Sequence, residues 1–128
     1  MIDVAPGQET NWRGVVEPYV GPDILRAVYQ VISTLGLLAL TMWIMAVTLR
    51  HSIPLGLLFV FPTAGLLVRT FILMHDCAHG SLFRSRRLND AVGVVTGAIT
   101  MMPFSQWRRD HALHHASSGD LDRRGHGD

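Results

Sequence analysis

The sequence predicts an all-α integral membrane protein. Its frame is an antiparallel transmembrane helix hairpin plus a short interfacial or re-entrant helix, with two histidine clusters on cytoplasmic helix extensions. Three observations predict this. Residues 27–49 are an uncharged apolar block, about 35 Å long as a helix, enough to cross a bilayer. Residues 55–74 are a second apolar block, interrupted only by Pro62 and Arg69, and only Arg50-His51-Ser52-Ile53-Pro54 lies between the two, so they must fold back on each other. A third apolar stretch, residues 91–104, would reach only about 21 Å as a helix and is too short to cross. The 48% hydrophobic content of the 128 residues is concentrated in these blocks, which separates the chain from a soluble domain with a buried core helix.

Residues 1–23 form a polar tail punctuated by Pro6, Gly7, Pro18, Gly21 and Pro22. The tail lacks the basic start and early apolar core of a signal peptide, and reads as a mobile cytoplasmic tail or peripheral lid. Asp23 is placed to cap the first span. Tyr29 sits near one end of that span, where aromatic rings favour the interface, and Arg50 closes the other. In the second span Pro62 is expected to kink the helix, and Arg69 to snorkel towards the interface.

All eleven basic residues are arginine. Arg84, Arg86, Arg87, Arg108, Arg109, Arg123 and Arg124 come after the second span, Arg13 and Arg26 precede the first, and Arg50 alone lies in the turn. The positive-inside rule then predicts a multi-pass protein with both termini and both histidine clusters cytoplasmic, and His51 across the membrane as a solvated turn residue. Residues 81–87 read as a basic loop, either touching lipid phosphates or docking an acidic redox partner. Asn89 or Asp90 is expected to cap the third apolar stretch, Pro103 to limit its end, and Gly93 and Gly97 to give it a closely packing face. This stretch must return the chain to the side it left.

A formal net charge of +1 argues against a nucleic-acid partner. A single cysteine excludes an internal disulfide and any cysteine-based zinc or iron–sulfur site. Five of the seven histidines fall in two clusters, His75-Asp76-Cys77-Ala78-His79 and His111-Ala112-Leu113-His114-His115. On helices, His75 and His79 share a face, as do His111, His114 and His115. Neutral imidazole ligates iron, zinc, copper and nickel, so the clusters predict a histidine-rich metal site at the membrane edge. A zinc protease would need Glu directly after the first His of a His-Glu-x-x-His pair, where Asp76 stands. A carboxylate-bridged di-iron bundle would need inward glutamates, yet Glu9 and Glu17 both lie in the tail. A bis-histidine haem would want single ligands at bilayer depth.

The residues around the clusters carry a further signal. His75-Asp76-Cys77-Ala78-His79-Gly80-Ser81-Leu82-Phe83 resembles the first histidine box of the membrane fatty acid desaturases. Pro103-Phe104, Trp107-Arg108 and His111-Ala112-Leu113-His114-His115 resemble their second box with its lead-in, and residues 117–122 resemble the stretch after that box in the acyl-lipid, omega-6 type branch. The resemblance implies dioxygen-dependent desaturation of a fatty acyl chain. It implies His75, His79, His111, His114 and His115 as ligands of two non-haem iron ions, dioxygen as co-substrate, membrane lipid acyl chains as substrate and a ferredoxin or cytochrome b5 type electron donor. The family carries a third His-x-x-His-His box after two more spans. The expectation is therefore that residues 24–128 are the N-terminal part of a desaturase domain, with His126 a solvated histidine rather than a substitute for the missing box. A related membrane hydroxylase, alkane hydroxylase or carotenoid ketolase shares this architecture; a membrane-anchored, non-catalytic metal binder is the reading from another class. Cys77 is expected to be a small packing residue off the ligand face, Asp76 and Asp110 to point away from the ligands beside them, Trp107 to be an interfacial anchor, and Met101 and Met102 to face core or lipid.

Overall fold

The computed structural model describes Gly14, Val16 and residues 21–117, and every regular element assigned within 21–117 is helical. Most of the tail, and His126, lie outside the described residues. We number the helices α1 (Ile24–Leu49), α2 (Ile53–Leu57), α3 (Val60–His79), α4 (Arg86–Ile99) and α5 (Phe104–Ser117).

Helix α1 starts where a cap is available. The Asp23 carboxylate accepts from the Leu25 and Arg26 N–H groups at 2.8 and 3.3 Å, satisfying two donors that no preceding turn can reach. It runs 26 residues to Leu49, three residues longer at its start than the apolar block alone predicts. The second apolar segment is not a single helix. One turn, α2, carries Pro54 near its start, and the chain breaks at Leu58 and Phe59 before α3 begins. Pro62 supplies the reason: it has no N–H for the Leu58 carbonyl, and its ring crowds that carbonyl. The expected kink inside the span is thus a break four residues upstream, with Pro62 in the first turn of α3, where a missing N–H is tolerated.

Helices α1 and α3 pack as an antiparallel hairpin. Ala27 and Thr34 on α1 and Thr63, Thr70 and Cys77 on α3 are small buried residues at seven-residue spacing, alongside buried Leu38, Leu73 and Met74. The outward faces are apolar and uncovered: Tyr29 is 71% exposed, Trp43 64% and Phe61 82%. Only 11% of the most apolar window of α1 is buried, and 22% of that in residues 53–79. A core helix of a soluble protein would be mostly buried, whereas these two segments are long and apolar enough to cross a membrane.

Beyond the spans, Gly80 stops α3 in the left-handed conformation at φ 68°, which a side chain disfavours. The Gly80 and Ser81 N–H groups close back on the Cys77 and Asp76 carbonyls at 3.0 Å each. The reversal drops Leu82 and Phe83 into the core, where Asn89 holds the loop. Its side-chain amide donates to the Phe83 carbonyl at 2.7 Å and its carbonyl accepts from the Phe83 N–H at 3.0 Å. Asn89 is therefore not the cap of α4. Ser85 is, and Arg86 and Arg87, expected in a loop, form the first helical turn. The helix also ends earlier than expected, at Ile99, before Met101 at φ 56° and the turn that leads to Pro103.

Helix α4 descends along α3 and α5 climbs back beside it. Gly93 and Gly97 receive the Phe104 ring at this turn; a methyl group on Gly93 would overlap that ring, and one on Gly97 would sit 2.7 Å from the Met102 carbonyl oxygen. The small-residue face of α4 is thus the seat of the next helix. The core gathers at this end of the molecule, from Ala27, Leu73, Met74, Cys77, Leu82, Phe83 and Phe104, directly against the histidine-bearing turns.

Candidate metal centre

Two helices meet at the site. The last two turns of α3 present His75 and His79, four residues and about 400° apart, and the C-terminal half of α5 presents His111 and His115 at the same spacing. The His75 and His79 Nε2 atoms are 3.3 Å apart, those of His79 and His111 3.0 Å, and those of His111 and His115 3.0 Å. One nitrogen from each of the four lies within 4.8 Å of every other. Nitrogens about 2.0–2.1 Å from one tetrahedral ion would lie about 3.4 Å from each other, so the donor set and its spacing fit a transition metal.

His114 is not in this group. Its ring lies 6.3 Å from that of His111 and 6.0 Å from that of His115. Helix geometry accounts for the division: relative to His111, His115 turns about 40° one way and His114 about 60° the other. Four of the five histidines singled out in the sequence converge, and the fifth lies on the flank of the same helix.

Neighbouring side chains orient two of the four rings, His75 and His111. The Asp76 carboxylate lies 3.4 Å from His75 Nδ1, at the opposite side of the ring from Nε2. Such a contact favours a proton on Nδ1 and leaves Nε2 free to ligate. It differs from the expectation that Asp76, as the immediate neighbour, points elsewhere. Trp107, expected as an interfacial anchor, packs directly on the site. Its ring stacks on His111 at 4.4 Å and 17°, meets His75 edge-on at 5.8 Å, and meets Phe71 edge-on at 5.4 Å. Burial holds the His111 pKa below its ordinary 6.5, and protonation of His115, His75, His79 or His114 would lower it further. The imidazole is therefore biased towards the neutral form that binds metal.

An open cleft of about 380 Å³ leads to the group, lined by Ala78, His79, Arg108, His111, Ala112 and His115. Arg108 pairs with Asp90 of α4 and lies over the Phe104 ring, 5.2 Å from its centre, so it braces the second cluster against α4. Cys77 is buried in the seam as expected. Met102 packs against the core, while Met101 is 91% exposed. His51 is exposed in the turn between the spans. Phe71 and the Asp90–Arg108 pair were not singled out from sequence. Phe71 sits one turn before His75, which is the signal that could have found it; the ion pair depends on how α4 and α5 fold against each other and left no local signal.

A family model described as fatty acid desaturase matches residues 50–127. A fatty acid desaturase of Bacillus subtilis is 43% identical over 88 residues, covering 68% of this chain and 25% of that protein. A probable fatty acid desaturase of Sorghum bicolor is 43% identical over 53 residues, and a ferredoxin-dependent sn-1 acyl-lipid omega-3 desaturase of Synechocystis is 38% identical over 52; each match covers 41% of this chain and 14% of the relative. The acyl-lipid name agrees with the branch that the flanking residues resemble, although this relative is of omega-3 rather than omega-6 type. The chain thus spans a quarter or less of the length of these relatives. No solved structure matches it.

Proposed function

The chain belongs to the fatty acid desaturase family, and from that premise we propose that it supplies two of the histidine clusters of a non-haem di-iron centre, which introduces a double bond into a membrane lipid acyl chain. One observation carries the reading: four histidines from two helices bring ligand nitrogens within 4.8 Å of one another. Imidazole-only ligation at the end of an apolar hairpin suits a metal that acts on an aliphatic chain.

His75, His79, His111 and His115 would hold metal, with His114 a further ligand from the flank of α5. When bound, the iron supplies dioxygen activation: dioxygen takes two electrons and two protons from the C–H bonds of adjacent methylenes, two electrons and two protons more from a donor and the medium, and leaves as two waters. The residues of this chain perform the holding and positioning. Asp76 steers the His75 tautomer, Trp107 holds His111, and the exposed apolar faces of α1 and α3 keep the site at the level of the acyl chains. The name of the Synechocystis relative supports a ferredoxin-type donor. Arginine placement supports cytoplasmic histidine clusters and termini, which a soluble donor would need.

The test is expression of the intact protein, of which residues 24–128 would be the N-terminal part, in a host of defined lipid composition. Fatty acid methyl esters and iron content are measured together. A new double bond with iron in the purified protein is the expected result. A hydroxylated or oxo product would move the protein to the related hydroxylases or ketolases. An unchanged lipid profile with negligible iron would leave a membrane-anchored metal binder without catalysis.

A further inference from the structure

We propose that Trp107 is a positioning residue that couples the two histidine clusters. It presents the face of its ring to a ligand of the second cluster while touching a ligand of the first. The inference rests on the metal-centre reading and adds a residue that holds the ligands without being one.

Stacking and ligation use different parts of an imidazole. A metal takes the in-plane lone pair of a ring nitrogen; a stacked ring takes the π face. Trp107 lies 4.4 Å from His111 at 17° to its plane, so it restricts rotation of that ring while leaving the edge free. The His111 Nε2 atom is the one that stands 3.0 Å from both His79 Nε2 and His115 Nε2, so the restrained ring is the link between α3 and α5. On its other contacts Trp107 meets His75 and Phe71, both on α3 and one turn apart. A single half-buried side chain on α5 is thereby pinned by α3 and pins His111 in turn. Metal binding withdraws electron density from imidazole, which strengthens its contact with an electron-rich indole, so occupancy and stacking reinforce each other.

The experiment titrates the detergent-purified chain with Co²⁺, following visible absorption of the metal and tryptophan fluorescence. Trp107→Phe keeps a stacking ring; Trp107→Leu keeps bulk without one. Trp12→Phe combined with Trp43→Phe, the latter on the exposed face of α1, leaves Trp107 as the one tryptophan and isolates its signal. The expected result is a fluorescence change on Co²⁺ binding that survives the combined Trp12→Phe and Trp43→Phe replacement, near-native affinity for Trp107→Phe, and affinity lowered on the order of tenfold for Trp107→Leu with an altered absorption spectrum. Helical content by circular dichroism accompanies each variant, and a loss of helix in Trp107→Leu transfers the decision to the Trp107→Phe titration and the fluorescence signal. Leucine matching wild type in affinity and spectrum, phenylalanine as impaired as leucine, or a fluorescence change abolished by the combined Trp12→Phe and Trp43→Phe replacement would each overturn the coupling role and leave the metal centre standing. Failure of the wild-type chain to bind Co²⁺ would overturn the coupling role, and absence of iron from the intact protein as well would overturn the metal centre.

Discussion

His79 and His111 stand 32 residues apart in the chain, and their Nε2 atoms lie 3.0 Å apart. Everything between them, the left-handed stop at Gly80, the Asn89 clamp and the descent and return of α4 and α5, serves to close that distance. His79→Ala and His111→Ala should therefore each lower metal affinity by at least about a hundredfold, the upper end of what the loss of a neighbouring orienting group costs. The double variant should fall short of the product of the two, since both remove the same bridge. His51→Ala, in the exposed turn at the far end of the hairpin, should bind as wild type. Metal per protein after dialysis checks all four.

Acid should release the metal. The His111 pKa is lowered first by desolvation and then by its histidine neighbours, so the folded chain binds fewer protons there than the unfolded chain. The resulting stability is present above pH 6.5 and is lost as pH falls through the lowered value. Thermal melts at fixed salt across this window, with and without Zn²⁺, should show the metal-dependent increment shrinking below pH 6.5. An increment that grows on acidification would contradict the sign.

Phe104 and Gly93 form a ring-in-groove contact that can be perturbed from either side. Phe104→Ala should destabilise by about 3–5 kcal/mol through the cavity it opens. Gly93→Ala should cost about 1–3 kcal/mol by overpacking against the same ring. The double variant should be more stable than the sum predicts, because the methyl group enters the space the ring has left. Denaturation in a single detergent measures the cycle.

Asn89 and Arg108 invite opposite expectations. Asn89 is 2% exposed and pairs both backbone groups of Phe83, so Asn89→Ala should cost about 1–3 kcal/mol for each group left unpaired. The side chains of Arg108 and Asp90 are 34% and 44% exposed, and solvent screens their attraction. A double-mutant cycle on that pair should return a coupling of about 1 kcal/mol or less, falling with added salt.

The long elements were legible because hydropathy and charge report them directly: the two spans, the short turn between them and the Asp23 cap depend on residues near one another in sequence. The convergence of His75, His79, His111 and His115 was legible from helical spacing. The position of His114 on the flank of that group was not, because its angle matters only once a partner helix selects one side of α5. The start of α4 was misplaced by five residues because Arg86 and Arg87 look like loop, and no local rule announces that Ser85 is the cap while Asn89 is committed to Phe83. Trp107 shows the same limit: no local signal announces that α3 supplies Phe71 and His75 for its ring to pack against.

The break at Leu58 and Phe59 gives the hairpin a zero mark. From Val60 to His79 there are 20 residues, about 30 Å of helix, which matches the hydrocarbon thickness of a bilayer. Helix α3 is therefore both a ruler and a clock hand: its length sets how far the first cluster stands from the opposite face, and its phase sets which way the cluster looks. One residue inserted after Phe59 would move His75 and His79 by only about 1.5 Å but swing them by about 100°, away from His111. Seven inserted residues would restore the direction and displace the pair by about 10 Å. Depth and aim are thus carried by a single uninterrupted helix, so a change of length that keeps one must disturb the other.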